Sequence, residues 1–183
     1  MARVKVVITG ENDEGKSYVA VNETRVGTSM TLMPPEFELI TLWHTDEPPT
    51  VPAPIPSQSK PLPTFFPAGD GVRFLIAVHP PESSSAGEMD EAEQAAALAE
   101  MEEKAPGLLS HFDPHGSGFH KTSTIDFVVV LDGVLHVELE SGEIAELPPG
   151  TCFVQNGTNH AWHNYTDKPV TTVAVMIGAR RGK

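Results

Sequence analysis

The chain has 183 residues, long enough for one sizeable core, and carries 25 acidic against 12 basic residues. A formal charge of −13 speaks against a nucleic-acid or anionic-membrane partner, since both need basic patches. No apolar run is long enough to span a bilayer, the N-terminus lacks signal-peptide architecture, and the single cysteine, Cys152, excludes an intrachain disulfide; together these fit the cytoplasm.

In chain order, Arg3–Thr9 and Ser17–Val21 read as a β-hairpin, with Asn12, Asp13 and Gly15 supplying the turn chemistry. Phe37–His44 is the next strand. Residues 47–67 hold eight prolines and no glycine, which predicts an extended surface arm that wraps the domain or reaches a second subunit. Val72–His79 is a strand stopped by Pro80-Pro81. Met89–Lys104 is rich in Ala, Glu, Leu and Met, with a narrow apolar stripe at Ala95, Leu98 and Met101, and predicts one inserted surface helix.

The remainder reads as short strands cut by tight turns. Ile125–Leu131 is apolar on both faces, and Asp132-Gly133 is a hairpin signal. Val134–Leu139 alternates, placing Leu135 and Val137 inward and His136 outward at the surface, where His163 is also expected. Glu143–Leu147, Thr151–Gln155, Ala161–Asn164 and Val170–Ile177 complete the set, with Cys152 expected as a small buried hydrophobe. Closely spaced strands of this kind argue for a β-sandwich or barrel.

Two segments carry a spaced pattern. The first runs His120-Lys-Thr122, three residues, Asp126, six residues, Gly133; the second runs Gln155-Asn-Gly157, two residues, His160, three residues, Asn164. This resembles the two-motif signature of the cupins, small jelly-roll β-barrels, with Thr122 in place of a second histidine, Asp126 in place of Glu and Gln155 in place of Pro. The resemblance implies a small single-domain cupin of the cupin 2 conserved-barrel type. Its fold would be all-β, a double-stranded β-helix (jelly-roll barrel) with an N-terminal β extension and one inserted α-helix. One domain would cover 1–183: strands and proline-rich arm over 1–80, acidic loop and helix over 83–106, and signature barrel over 107–183. It also implies a homodimer.

His120, Thr122 and Asp126 share parity with Val128 and Val130, and His160 shares parity with Trp162 and Asn164. In a cupin barrel, His120, Asp126 and His160 would converge. Two neutral imidazoles and a carboxylate form a donor set for Fe(II) that also suits Zn(II), Mn(II) or Ni(II). The expectation is a metal-dependent cupin enzyme, with these three residues both ligating and catalytic. Its substrate class would be aromatic, polyketide-like or organic-acid, with dioxygenase, decarboxylase, cyclase and dehydratase left open. Trp162, Gln155, Thr122 and Asn164 are the candidate substrate contacts. The alternative is a metal-free pocket that binds a small molecule or works by acid/base isomerisation or dehydration. His111 and His115 are expected at the barrel rim.

Overall fold

The computed structural model describes residues 1–55, 62–84, 87–113 and 116–182. Its strands are β1 (Arg3–Glu11), β2 (Ser17–Val26), β3 (Glu38–Thr45), β4 (Val72–His79), β5 (Thr124–Asp132), β6 (Leu135–Leu139), β7 (Ile144–Leu147), β8 (Cys152–Gln155), β9 (His160–His163) and β10 (Val170–Gly178). They form a five-stranded sheet, β3-β4-β10-β5-β8, a three-stranded sheet, β7-β6-β9, and the separate hairpin β1-β2. All pairings are antiparallel. This is the cupin-type jelly-roll barrel with its N-terminal β extension and one α-helix.

The period-2 patterns decide what each face buries. Val130, Leu135, Val137, Leu147 and Val170 pack between the two larger sheets. Leu75, Ala77 and Met176 point from the five-stranded sheet into a second cluster completed by Phe65, Met101 and Leu108. On the other side of that sheet, Val6 of the hairpin covers Ile40, Leu42 and Ile76. β2 runs five residues past its predicted end because β1 pairs with it as far as Arg3↔Val26.

Helix α1 spans Glu91–Lys104, two residues shorter than predicted at its start. Asp90 is the N-cap: its carboxylate accepts from the Glu93 N–H at 2.8 Å, while Glu93 accepts from the Asp90 N–H at 3.0 Å. The buried face is Ala97 and Met101, followed by Ala105, an i, i+4 row; Leu98, assigned to the apolar stripe from sequence, is 45% exposed. Of the stripe read from sequence, Met101 is buried and Ala95 and Leu98 are exposed.

Three further expectations are corrected. Cys152 is exposed: on β8 the inward positions are Phe153 and Gln155, so the thiol faces out. His136 and His163 are half-buried rather than at the surface, because both nitrogens of His163 meet carboxylates, Glu82 and Glu138, each at 2.9 Å, and Tyr165 lies over both rings. The described part of the proline-rich arm is also no plain surface strap, since Phe65 enters the core and its backbone N–H donates to Pro106 O at 2.8 Å.

Arg73 of β4 fastens that arm. It is fully buried, and its guanidinium donates to Thr45 O (2.8 Å), Thr64 O (2.9 Å) and Asp46 Oδ1 (2.5 Å). Gly133 closes the β5–β6 turn at φ 79°, and a Cβ there would stand 2.7 Å from Val170 Cγ2. Gly133→Ala combines left-handed strain with overlap against a fully buried valine. We expect it to lower stability by about 2–4 kcal/mol, read as a shifted denaturation midpoint at unchanged slope.

Candidate functional site

The two signature histidines meet through their backbones. His120 N–H donates to His160 O at 2.9 Å and His160 N–H donates to His120 O at 3.1 Å, an isolated antiparallel bridge. Such a pair sets its two side chains on one face, and here the ring centroids are 4.2 Å apart. Each ring is oriented by the carbonyl two residues back. His120 Nδ1 lies 3.2 Å from Gly118 O, and His160 Nδ1 lies 3.0 Å from Thr158 O. A carbonyl only accepts, so both rings carry the proton on Nδ1, leaving each Nε2 as a lone-pair acceptor.

Burial holds both imidazoles neutral. It lowers His160 to about 4, with His120 beside it adding to the effect, and it also lowers His120. Asp126 on β5 moves the opposite way. Desolvation pushes its carboxyl up to about 6 against a partly offsetting hydrogen bond from Thr124, and its Oδ1 is buried with no hydrogen-bond partner.

All three residues line one cavity of about 550 Å³. Its walls are mainly apolar and aromatic: Phe37, Phe65, Phe66, Phe112, Trp162 and Leu75 among them. Phe112 stacks on His120 at 4.6 Å, and Trp162 meets His160 edge-on at 5.3 Å. Trp162 packs against the inter-sheet core as well, so it fills both roles considered for it. Asn164 also lines the cavity, but its amide is committed to His79 O, Lys168 O and Thr166, fixing the corner after β9.

Thr122 and Gln155, expected as substrate contacts, are absent from the cavity lining. Both are almost fully buried away from the cavity lining. The Thr122 hydroxyl lies 2.8 Å from that of Thr124, and Gln155 Oε1 accepts from Thr158 Oγ1 at 2.7 Å, bracing the loop that presents His160. His111 sits beside the site, its ring 4.7 Å from Phe66; His115 lies outside the described residues.

The neutral Nε2 pair suits a divalent metal in chemistry and tautomer. Among the described residues, however, no group of three or more His, Cys, Asp or Glu side chains is placed to hold a metal ion. Asp126 shares the cavity without joining the imidazoles as a third ligand, and Thr122 supplies no imidazole in its place.

Sequence reasoning did not find Phe66, Phe112 or His79 at the cavity. The aromatics arrive from irregular segments with no period. His79 was legible, since Leu75, Ala77 and His79 share one face of β4.

The buried histidines make the fold acid-labile. His79 and His160 each fall from 6.5 to about 4. Below 6.5 the unfolded chain takes up protons that the folded chain refuses, so the histidines' share of stability is full above 6.5 and is lost as pH falls toward 4, offset in part by Asp126, whose raised pKa acts in the opposite direction. Each shift corresponds to roughly 3 kcal/mol. Chemical denaturation should show stability dropping steeply between pH 6.5 and 4, and His79→Phe should flatten that drop.

No family model matches the chain. It is 48% identical over 46 residues to the oryzines biosynthesis cluster protein J of Aspergillus oryzae and 51% identical over 45 residues to the phomopsin biosynthesis cluster protein D of Diaporthe leptostromiformis. The matched stretch is 25% of this chain in both, and 26% and 24% of those relatives, so the chain spans about a quarter of their length. It is 35% identical over 69 residues to a cupin-domain-containing oxidoreductase of Aspergillus ruber, 38% of this chain and 30% of that protein. Among solved structures, it superposes on the Cnp3 cupin domain of Schizosaccharomyces pombe with a TM-score of 0.47 at 8% identity, covering 95% of this chain and 87% of that one. With the antiparallel barrel and the backbone-bridged His120 and His160, these local sequence matches make the chain similar to cupin-domain proteins over 25% to 38% of its length.

Proposed function

We propose that this chain is a small-molecule enzyme of the cupin type that moves protons on a hydroxylated aromatic or polyketide-like substrate. The observation that carries the reading is the pairing of a buried carboxyl, raised to about 6 and with its Oδ1 free of hydrogen bonds, with two neutral imidazoles in one apolar cavity. A carboxyl in that range exchanges its proton readily near neutrality, as a general acid or base must. The two Nε2 atoms accept the O–H of a phenol or enol and orient it, and Asp126 removes a proton and returns it elsewhere on the same molecule. Isomerisation, cyclisation and dehydration share that step. Relatives named for biosynthesis clusters support a role in secondary metabolism.

A second reading keeps the Nε2 pair as metal ligands, with Fe, Zn, Mn or Ni as the ion and Asp126 moving in to complete the set. A bound metal would supply Lewis acidity to the substrate oxygen. Metal content measured after purification without chelator or affinity tag, and again after soaking with each ion, separates the two. Sub-stoichiometric metal with unchanged turnover in chelator is the expected result. One tightly held ion per chain, with turnover lost on its removal, would replace the first reading with the second.

The whole of 1–183 acts in this reading as one cupin domain, in the cytoplasm, as a homodimer. Support for the dimer is an apolar row across the outer face of the five-stranded sheet, Trp43, Phe74, Val175, Phe127 and Val154, in which Phe127 is 48% and Val154 55% exposed. Light scattering at micromolar concentration should give twice the chain mass. Among the described residues no helix is long and apolar enough to cross a membrane.

A further inference from the structure

The cavity has a second polar pole that the proton-transfer chemistry does not use. Met176, Ala174 and Thr172 are successive inward residues of β10, and all three line the cavity. Met176 stands opposite Asp126, and Thr172 lies four residues further along, ~13 Å away. Between the two poles stand Ala174, Val128 and Leu75, which are paired across the sheet and wholly apolar.

At the far pole is His79. Its Nε2 lies 3.0 Å from Thr172 Oγ1, and Trp162 lies 6.1 Å from its ring. Burial keeps this imidazole neutral, with its pKa near 4. A polar ring inside an apolar wall costs stability unless something answers it. Among the described residues the group that answers it is the Thr172 hydroxyl. The lining also contains no lysine or arginine among the described residues; its carboxylates are Asp126 and Glu82. Such a surface repels a carboxylate or phosphate and offers no ion pair to hold one.

We propose that the cavity takes an uncharged, elongated, mostly aromatic molecule with a hydroxyl or carbonyl oxygen at each end, the first met by His120, His160 and Asp126 and the second by His79 and Thr172. The inference rests on reading the cavity as a small-molecule site and narrows its substrate class, removing organic acids. His79 is then a specificity residue, remote from the reacting atoms.

The test uses three probes of one shape in isothermal titration calorimetry: biphenyl-4,4'-diol, 4-phenylphenol and biphenyl-4-carboxylate. The wild-type protein should bind the diol about tenfold more tightly than 4-phenylphenol, the worth of one satisfied buried hydrogen bond, and the carboxylate at least tenfold more weakly than either. His79→Phe and Thr172→Val should each bring the diol down to the affinity of 4-phenylphenol and leave 4-phenylphenol unchanged. A merely structural role would weaken both probes together. Two variants of different shape guard against one failing to fold. Equal wild-type affinity for diol and 4-phenylphenol, a ratio that survives both substitutions, or tight carboxylate binding overturns the inference while the small-molecule reading stands. Failure of all three probes to bind removes both.

Discussion

Asp126→Asn is expected to slow proton transfer 100- to 10,000-fold while making the folded protein more stable at neutral pH. The two effects share one cause. The carboxyl is 8% exposed, its Oδ1 has no hydrogen-bond partner, and burial raises it from 3.8 to about 6. Between those values the folded chain holds a proton that the unfolded chain has released, so stability falls as pH rises through the window. At pH 7 the ionised group therefore costs up to roughly 3 kcal/mol. The amide has the same shape and no charge, so Asp126→Asn relieves most of that cost above pH 6 and almost none below pH 4. Proton exchange in deuterium oxide at the methyl group of 4'-hydroxyacetophenone, followed by NMR, supplies the catalytic readout. The wild-type rate should climb as pH passes 6 and the variant should lose that limb. A variant that keeps its exchange rate, or one that is less stable at pH 7, would take Asp126 out of the chemistry.

The second large effect lies away from the cavity. Arg73→Ala should cost about 3–5 kcal/mol, enough to leave much of the chain unfolded at 37 °C. The guanidinium is fully buried and ties β4 to two segments distant in sequence: the end of β3 through Thr45 and Asp46, and the proline-rich arm through Thr64. Removing it strips two part-buried carbonyls of their donor and leaves a cavity where a fully buried side chain stood. Arg73→Lys should recover only part of the loss, because one ammonium cannot reproduce a planar fork spanning Thr45, Thr64 and Asp46. Urea denaturation of the three proteins tests this. A midpoint for Arg73→Ala within experimental error of wild type would mean the network contributes nothing net. Because Phe65 and Phe66 follow Thr64 directly and line the cavity, ligand affinity should fall before the barrel melts.

The strands of the barrel were legible because alternation is strict where one face is buried. Leu135 and Val137 read inward on sequence and are inward here. His120 and His160 were legible from spacing, and so was the sharing of a cavity with Asp126. The helix face was not, because Ala97 carries almost no hydrophobic signal while exposed Leu98 carries a strong one. Thr122 and Gln155 had the right parity or place for the cavity, but parity cannot tell a side chain that lines a cavity from one buried beside it. Phe66 and Phe112 come from segments whose conformation depends on contacts made far along the chain, such as Phe65 N–H to Pro106 O.

The bridge between His120 and His160 uses main-chain groups alone, so any residue but proline at either position can keep both bonds. Architecture and chemistry are thereby uncoupled at the very place where they meet. Substitutions at 120, 122, 126 or 160 can add, remove or exchange functional groups one at a time without a passage through unfolded intermediates. The bridge thus fixes where the two imidazoles stand without fixing what they do.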